Sequence, residues 1–159
     1  VSECMEFTAE TDSIVTLGIR PTAPETGYGY IEADLSYASS CSQNIFRVDS
    51  FKEKPSLDLA KQYVEKNNYF WNAGIFIWSV QTIVNAFRVY QPGMAKLFEE
   101  MTPQFGTPEE KDKIAEVYDQ IESISVDYAI MEKAEEIFVY QASFDWSDVG
   151  TWKCRSGRR

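Results

Sequence analysis

Short runs rich in β-branched and aromatic residues alternate with segments of helical period along this chain, and that alternation restricts its fold more than any other feature. Ser13 to Ile19 (SIVTLGI) reads as a buried strand, broken by Pro21 and Pro24. Tyr28 to Ala33 and Ile45 to Glu53 carry partial period-two patterning and read as strands. Phe70 to Trp78 (FWNAGIFIW) is the most apolar stretch, a central strand, and Ile137 to Ala142 (IFVYQA) is the last. Between them, Ser56 is placed to cap a helix carrying Leu59, Ala60, Tyr63 and Val64 on one face and ending at Asn67-Asn68. Ser79 caps one running to about Tyr90, and Pro92 opens another with Met94, Leu97, Phe98 and Met101 at helical spacing. Thr107-Pro108-Glu109-Glu110 has the form of a capping box, and Ser125 caps a helix through Lys133. Strands separated by helices predict a layered α/β domain with a largely buried sheet, whose ligands sit beyond the strand ends.

Composition narrows the chemistry. With 159 residues the chain is long enough for a domain with a real core, and no apolar run approaches the roughly 18 residues of a membrane span. A formal charge of −10 argues against a nucleic-acid backbone as partner, which would need clustered Lys and Arg. Cys4, Cys41 and Cys154 are scattered and odd in number, so reduced thiols in a cytoplasm are the simplest expectation. The chain has no histidine, which removes the commonest general base and leaves almost no ligands for zinc. Any reaction here should depend on positioning and charge stabilisation rather than on proton shuttling.

Four segments could carry that chemistry. In PETGYGYIE, Gly27 and Gly29 flank Tyr28 and let the backbone pass close to a ligand, although a glycine-rich strand entry or bulge would have the same sequence. In FKEKP, Glu53 can accept from sugar hydroxyls and Lys54 can meet a phosphate, against the blander reading of a solvated strand end. A regular strand would point Glu53 to the face opposite Lys52 and Lys54. In WNAGIFIW, Asn72 brings an amide into a very hydrophobic strand and needs a partner, either backbone or a sugar hydroxyl, with Gly74 leaving room beside it. In DWSDVGTW, Asp145 and Asp148 lie between two tryptophans, where a carboxylate either caps a turn or faces a cation. Together the four suit a phosphorylated sugar with Mg²⁺, which takes a few carboxylates plus phosphate oxygens.

TLGIRPTAPETGYGYIE, VDSFKEKP, YFWNAGIFIW, ISVDYAIMEKA and FDWSDVGTW, in that order, closely resemble the mannose-1-phosphate guanylyltransferases (GDP-mannose pyrophosphorylases) of the sugar-nucleotidyltransferase superfamily. The likeness runs nearly the whole chain, through Trp152. It implies a layered, Rossmann-like α/β fold with a mixed, mostly parallel sheet, lacking its N-terminal nucleotide-binding portion. Residues 1–152 would be the sugar-phosphate-binding part of the catalytic domain and 153–159 an atypical basic tail. The resemblance also implies roles: Gly29 against the sugar, Glu53 on its hydroxyls, Lys54 on its phosphate, Asn72 on the sugar, and Asp148, rather than Asp145, on Mg²⁺. Asp145 would serve the turn.

The implied reaction joins mannose 1-phosphate and GTP into GDP-mannose and pyrophosphate. Its nucleophile is an already anionic phosphate oxygen, which agrees with the missing histidine. The family's glycine-rich nucleotide loop has no counterpart among the eight glycines here, and Val1 is not a start methionine. The chain is therefore expected to be a piece of something larger, inactive alone, with an exposed sheet edge favouring association, a homo-oligomer among the possibilities. The partners implied are the two small-molecule substrates, with no nucleic acid and no membrane. A sibling enzyme for another sugar or nucleotide, or a non-catalytic sugar-nucleotide-binding homologue, are the alternatives.

Overall fold

Ile14–Ile19 forms strand β1 and is buried at every position, as a run without alternation must be when both its faces are covered. The computed structural model describes residues 1–37, 42–144 and 146–148, which form two compact units. The first unit runs over Val1–Trp78 and resumes at Glu136. It contains helix α1 (Ser2–Glu10), β1, β2 (Tyr30–Asp34), β3 (Ile45–Lys52), helix α2 (Leu57–Glu65), β4 (Tyr69–Ile77) and β5 (Ile137–Gln141).

The five strands close on themselves in the order β1-β4-β2-β3-β5. β1 and β5 run parallel, and the other four pairings are antiparallel. This corrects the expectation of a mostly parallel sheet: the sheet is mixed, with a single parallel pairing among the described strands. It also corrects the expected exposed edge, because every described strand is paired on both sides. One side of the closed sheet packs Val15, Leu17, Ile45 and Phe138 against Cys4 and Phe7 of α1. A second cluster joins Ile31, Ala33, Phe70 and Val139, and a third joins Ile19, Tyr30, Tyr69 and Trp71 to Ala60 of α2. Helix α1 is not foreseen by the patterning, since its buried face is only Cys4, Phe7 and Thr8.

The second unit, Ser79–Glu135, is helical: α3 (Val80–Tyr90), α4 (Pro92–Met101), a 3₁₀ turn (Thr102–Gln104), α5 (Glu110–Gln120) and a π turn (Asp127–Met131). Ser56 and Ser79 cap α2 and α3 as expected, accepting from the Leu59 and Thr82 N–H groups at 3.4 and 3.0 Å. The box at Thr107 forms differently. α5 starts at Glu110, the Thr107 hydroxyl donates to the Gln104 carbonyl at 2.7 Å, and the Glu110 carboxylate accepts from the Gly106 N–H at 2.7 Å. The segment after Ser125 is helical, but as a five-residue π-helix, Asp127–Met131, that ends before Lys133 and has no side-chain cap. Among the described residues no helix is long and apolar enough to cross a membrane. Cys41, Cys154 and the tail 153–159 lie outside the described residues.

Candidate active site

Strand β2 lies between β3 and β4, and the two registers set three of the expected residues in one row. Tyr30 pairs with Lys52 on one side and with Trp71 on the other. One step back along β2, and one step on along its antiparallel neighbours, brings Glu53, Gly29 and Asn72 abreast. The Asn72 N–H donates to the Gly29 carbonyl at 2.8 Å. A methyl group at Gly29 would stand 2.5 Å from Glu53 Oε2, 3.3 Å from Phe51 Cζ and 3.4 Å from Asn72 Cβ. Glycine is needed there because a carboxylate lies over its Cα; its backbone is not in the left-handed region. The result is a notch flanked by one carboxylate and one amide.

The predicted alternation of Lys52, Glu53 and Lys54 does not hold. β3 ends at Lys52, and Lys54 has φ of 45°, a left-handed conformation costing a residue with a Cβ roughly 1–2 kcal/mol. That kink takes the chain out of the ladder and brings Lys54 Nζ to 3.6 Å from Glu53 Oε1. The Glu53 side chain is 14% exposed and that of Lys54 62%, so carboxylate and ammonium share a side with the lysine in solvent. Such a pair contributes about 0–1 kcal/mol to stability.

Asn72 is held from behind. Its Oδ1 accepts from the Thr16 hydroxyl at 2.9 Å and from the Gly74 N–H at 3.2 Å. Thr16 escaped the sequence reading, although a lone hydroxyl in the otherwise apolar IVTLGI run is a signal, since a buried hydroxyl needs a partner. Tyr28 ties the remaining segments in: its ring meets Trp71 edge-on at 5.2 Å and Trp146 at 5.3 Å. Trp146 thereby anchors the chain that carries Asp148, a half-buried residue two positions on. Asp145, Gly150 and Trp152 lie outside the described residues.

For a divalent cation, the described residues include no cluster of three metal-ligating side chains. Mg²⁺ needs none: it keeps several waters and binds through one or two carboxylates plus substrate phosphate. Asp148, as a single half-buried carboxylate, fits that requirement and would not fit a protein cage for Ca²⁺ or Zn²⁺.

Comparison with known proteins gives the family and the fold. The family model described as Nucleotidyl transferase matches residues 1–154. Mannose-1-phosphate guanylyltransferase of Escherichia coli is 33% identical over 145 residues, 91% of this chain and 31% of that protein. Xanthan biosynthesis protein XanB of Xanthomonas campestris pv. campestris is 37% identical over 150 residues, 91% of this chain and 30% of its own length. The chain thus spans about a third of these curated relatives. The crystal structure of mannose-1-phosphate geranyltransferase from Thermus thermophilus superposes with a TM-score of 0.80 at 36% identity, covering 96% of this chain and 41% of that one. That of mannose-6-phosphate isomerase from Helicobacter pylori gives 0.74 at 22% identity, a likeness of fold alone, over 92% of this chain and 56% of that one.

Proposed function

The chain belongs to the nucleotidyl transferase family, and from that membership we propose that it is the sugar-phosphate-binding part of a mannose-1-phosphate guanylyltransferase, which makes GDP-mannose and pyrophosphate from mannose 1-phosphate and GTP. The observation that carries this reading is the row Glu53–Gly29–Asn72, a notch with a hydroxyl-accepting carboxylate on one side and an amide on the other. A sugar ring laid against Gly29 has its hydroxyls within reach of Glu53, while the exposed Lys54 ammonium meets the anionic phosphate. That phosphate is already a nucleophile at neutral pH, so the site orients it and needs no general base. Asp148 is the residue of this chain to hold Mg²⁺, which offsets the repulsion between the two phosphorylated substrates. Guanine recognition would fall to the part of the relatives' length that this chain does not span. The enzyme would work in the cytoplasm.

The test is pyrophosphate release by the full-length protein with GTP, mannose 1-phosphate and Mg²⁺. Asp148→Ala is expected to lower turnover about 100-fold or more, the scale of several kcal/mol of charge stabilisation by a metal. Asp145→Ala should stay within a few-fold of wild type. Equal, mild losses from the two substitutions would overturn the metal assignment, and an enzyme indifferent to mannose 1-phosphate would overturn the function.

A further inference from the structure

Strand β1 carries a single hydroxyl, Thr16, with no exposed surface. Burying it without a partner would be costly, and it has two acceptors in reach: Asn72 Oδ1 at 2.9 Å and the Ile75 carbonyl at a long 3.4 Å. The shorter contact exists because β4 is bulged. Thr16 pairs with Phe76 and Gly18 with Asn72, so Ala73, Gly74 and Ile75 all stand opposite Leu17 alone. Gly74, at φ of 69°, closes the extra residues and turns its N–H back onto Asn72 Oδ1 at 3.2 Å. Two donors fill both acceptor directions of that oxygen.

We infer that Thr16 is a positioning residue for the sugar-phosphate site: with the Gly74 N–H it fixes the Asn72 amide so that Asn72 meets its ligand through its NH₂ group and not through its carbonyl oxygen. The proposal rests on the guanylyltransferase reading. It adds that Asn72 recognises an acceptor, a sugar hydroxyl oxygen or a phosphate oxygen. A threonine that only filled space would be replaced by valine at little cost. One that holds the amide would not, because Asn72 Oδ1 would lose the shorter of the two donors that orient it, leaving the Gly74 N–H at 3.2 Å.

The experiment is steady-state kinetics of the full-length enzyme, with Asn72→Ala as reference. Thr16→Val is expected to raise the KM for mannose 1-phosphate about 3–10-fold, the range set by one hydrogen bond of ordinary net strength. The KM for GTP should stay within about two-fold, and Thr16→Ser should recover most of the loss. Added to Asn72→Ala, Thr16→Val should do no further harm, as expected of two residues acting through one contact. Thr16→Ala reads the same way should the valine variant not accumulate. An unchanged sugar-phosphate KM in Thr16→Val, with a raised one in Asn72→Ala, overturns the positioning role alone. Equal rises for both substrates, or no rescue by serine, overturn it as well. No effect of Asn72→Ala on the sugar-phosphate KM overturns the reading of the site itself.

Discussion

At Gly29 the cost of a side chain falls on function more than on folding. The atom that a Cβ would meet first is Glu53 Oε2 at 2.5 Å, the far end of a flexible side chain, and the backbone is not in the left-handed region. Gly29→Ala should therefore fold with little loss of thermal stability, yet push the carboxylate off the notch. Losing one hydrogen bond to a charged group costs about 1.5–3 kcal/mol, so the KM for mannose 1-phosphate should rise roughly 10–150-fold. A variant with normal kinetics would show that Glu53 does not bind there. Lys54 is a weaker case than its sequence suggests: with 62% of its side chain in solvent it is not a desolvated charge. Lys54→Ala should weaken mannose 1-phosphate binding about ten-fold or less by calorimetry, the scale of a screened ion pair.

Among the elements, glycine has a different meaning in β1. A Cβ at Gly18 would lie 2.4 Å from Val139 Cγ2 and 2.9 Å from Phe70 Cβ, both on fully buried residues of the neighbouring strands. The Phe70 Cβ cannot move without its strand, and the Val139 methyl can yield only by a χ1 change inside a packed core. Gly18→Ala should therefore destabilise the protein by about 1–3 kcal/mol in urea unfolding, the usual cost of overpacking a core. An unshifted midpoint would mean that β1, β4 and β5 are less tightly apposed. The helix caps separate in the same way. Ser79→Ala removes an acceptor from the Thr82 N–H and should cost about 1 kcal/mol. Thr107→Ala removes only an exposed bond to the Gln104 carbonyl and should cost less than about 0.5 kcal/mol.

For the whole molecule, titration brackets the stable range from both sides. Burial pushes the Glu32 carboxyl up, but hydrogen bonds from Tyr69, Ser50 and Asn68 and the attraction of Lys66 outweigh it and hold the group below its usual value. Its contribution is present above the unfolded carboxylate range near pH 4.3 and is lost as pH falls through the lower folded value. Burial is the main cause that raises Cys4, Tyr30, Tyr69 and Tyr140. Their contributions are present below the unfolded values, about 8.5 for Cys and 10 for Tyr, and fade as pH rises through the folded ones. The urea midpoint should therefore decline above about pH 8.5 and more steeply above about 10. Glu32→Gln should flatten the acid limb relative to wild type and soften the alkaline one, because the Glu32 carboxylate helps burial to raise Tyr69. A midpoint unchanged between pH 8 and 11 would contradict the burial of these groups.

All five strands and the capped helices α2 and α3 were legible in the sequence, because each is dictated locally: an apolar run of strand length, or a serine before a periodic face. The residue types of the site were legible too, since a glycine, a carboxylate and an amide among apolar neighbours stand out without any fold. Which strands pair is not local. The antiparallel character of the sheet, its closure, and the row that aligns Glu53 with Gly29 and Asn72 arise from registers between segments about 20 residues apart or more. The turn of Lys54 to φ 45° and the bulge that brings Thr16 to Asn72 are likewise invisible in a run of letters, because a β-pattern assumes an unbroken ladder. The sequence by itself determined which groups are available to the proposed sugar-phosphate site. The tertiary structure decided which way they face, because side-chain direction follows from strand register and from where the ladder is broken.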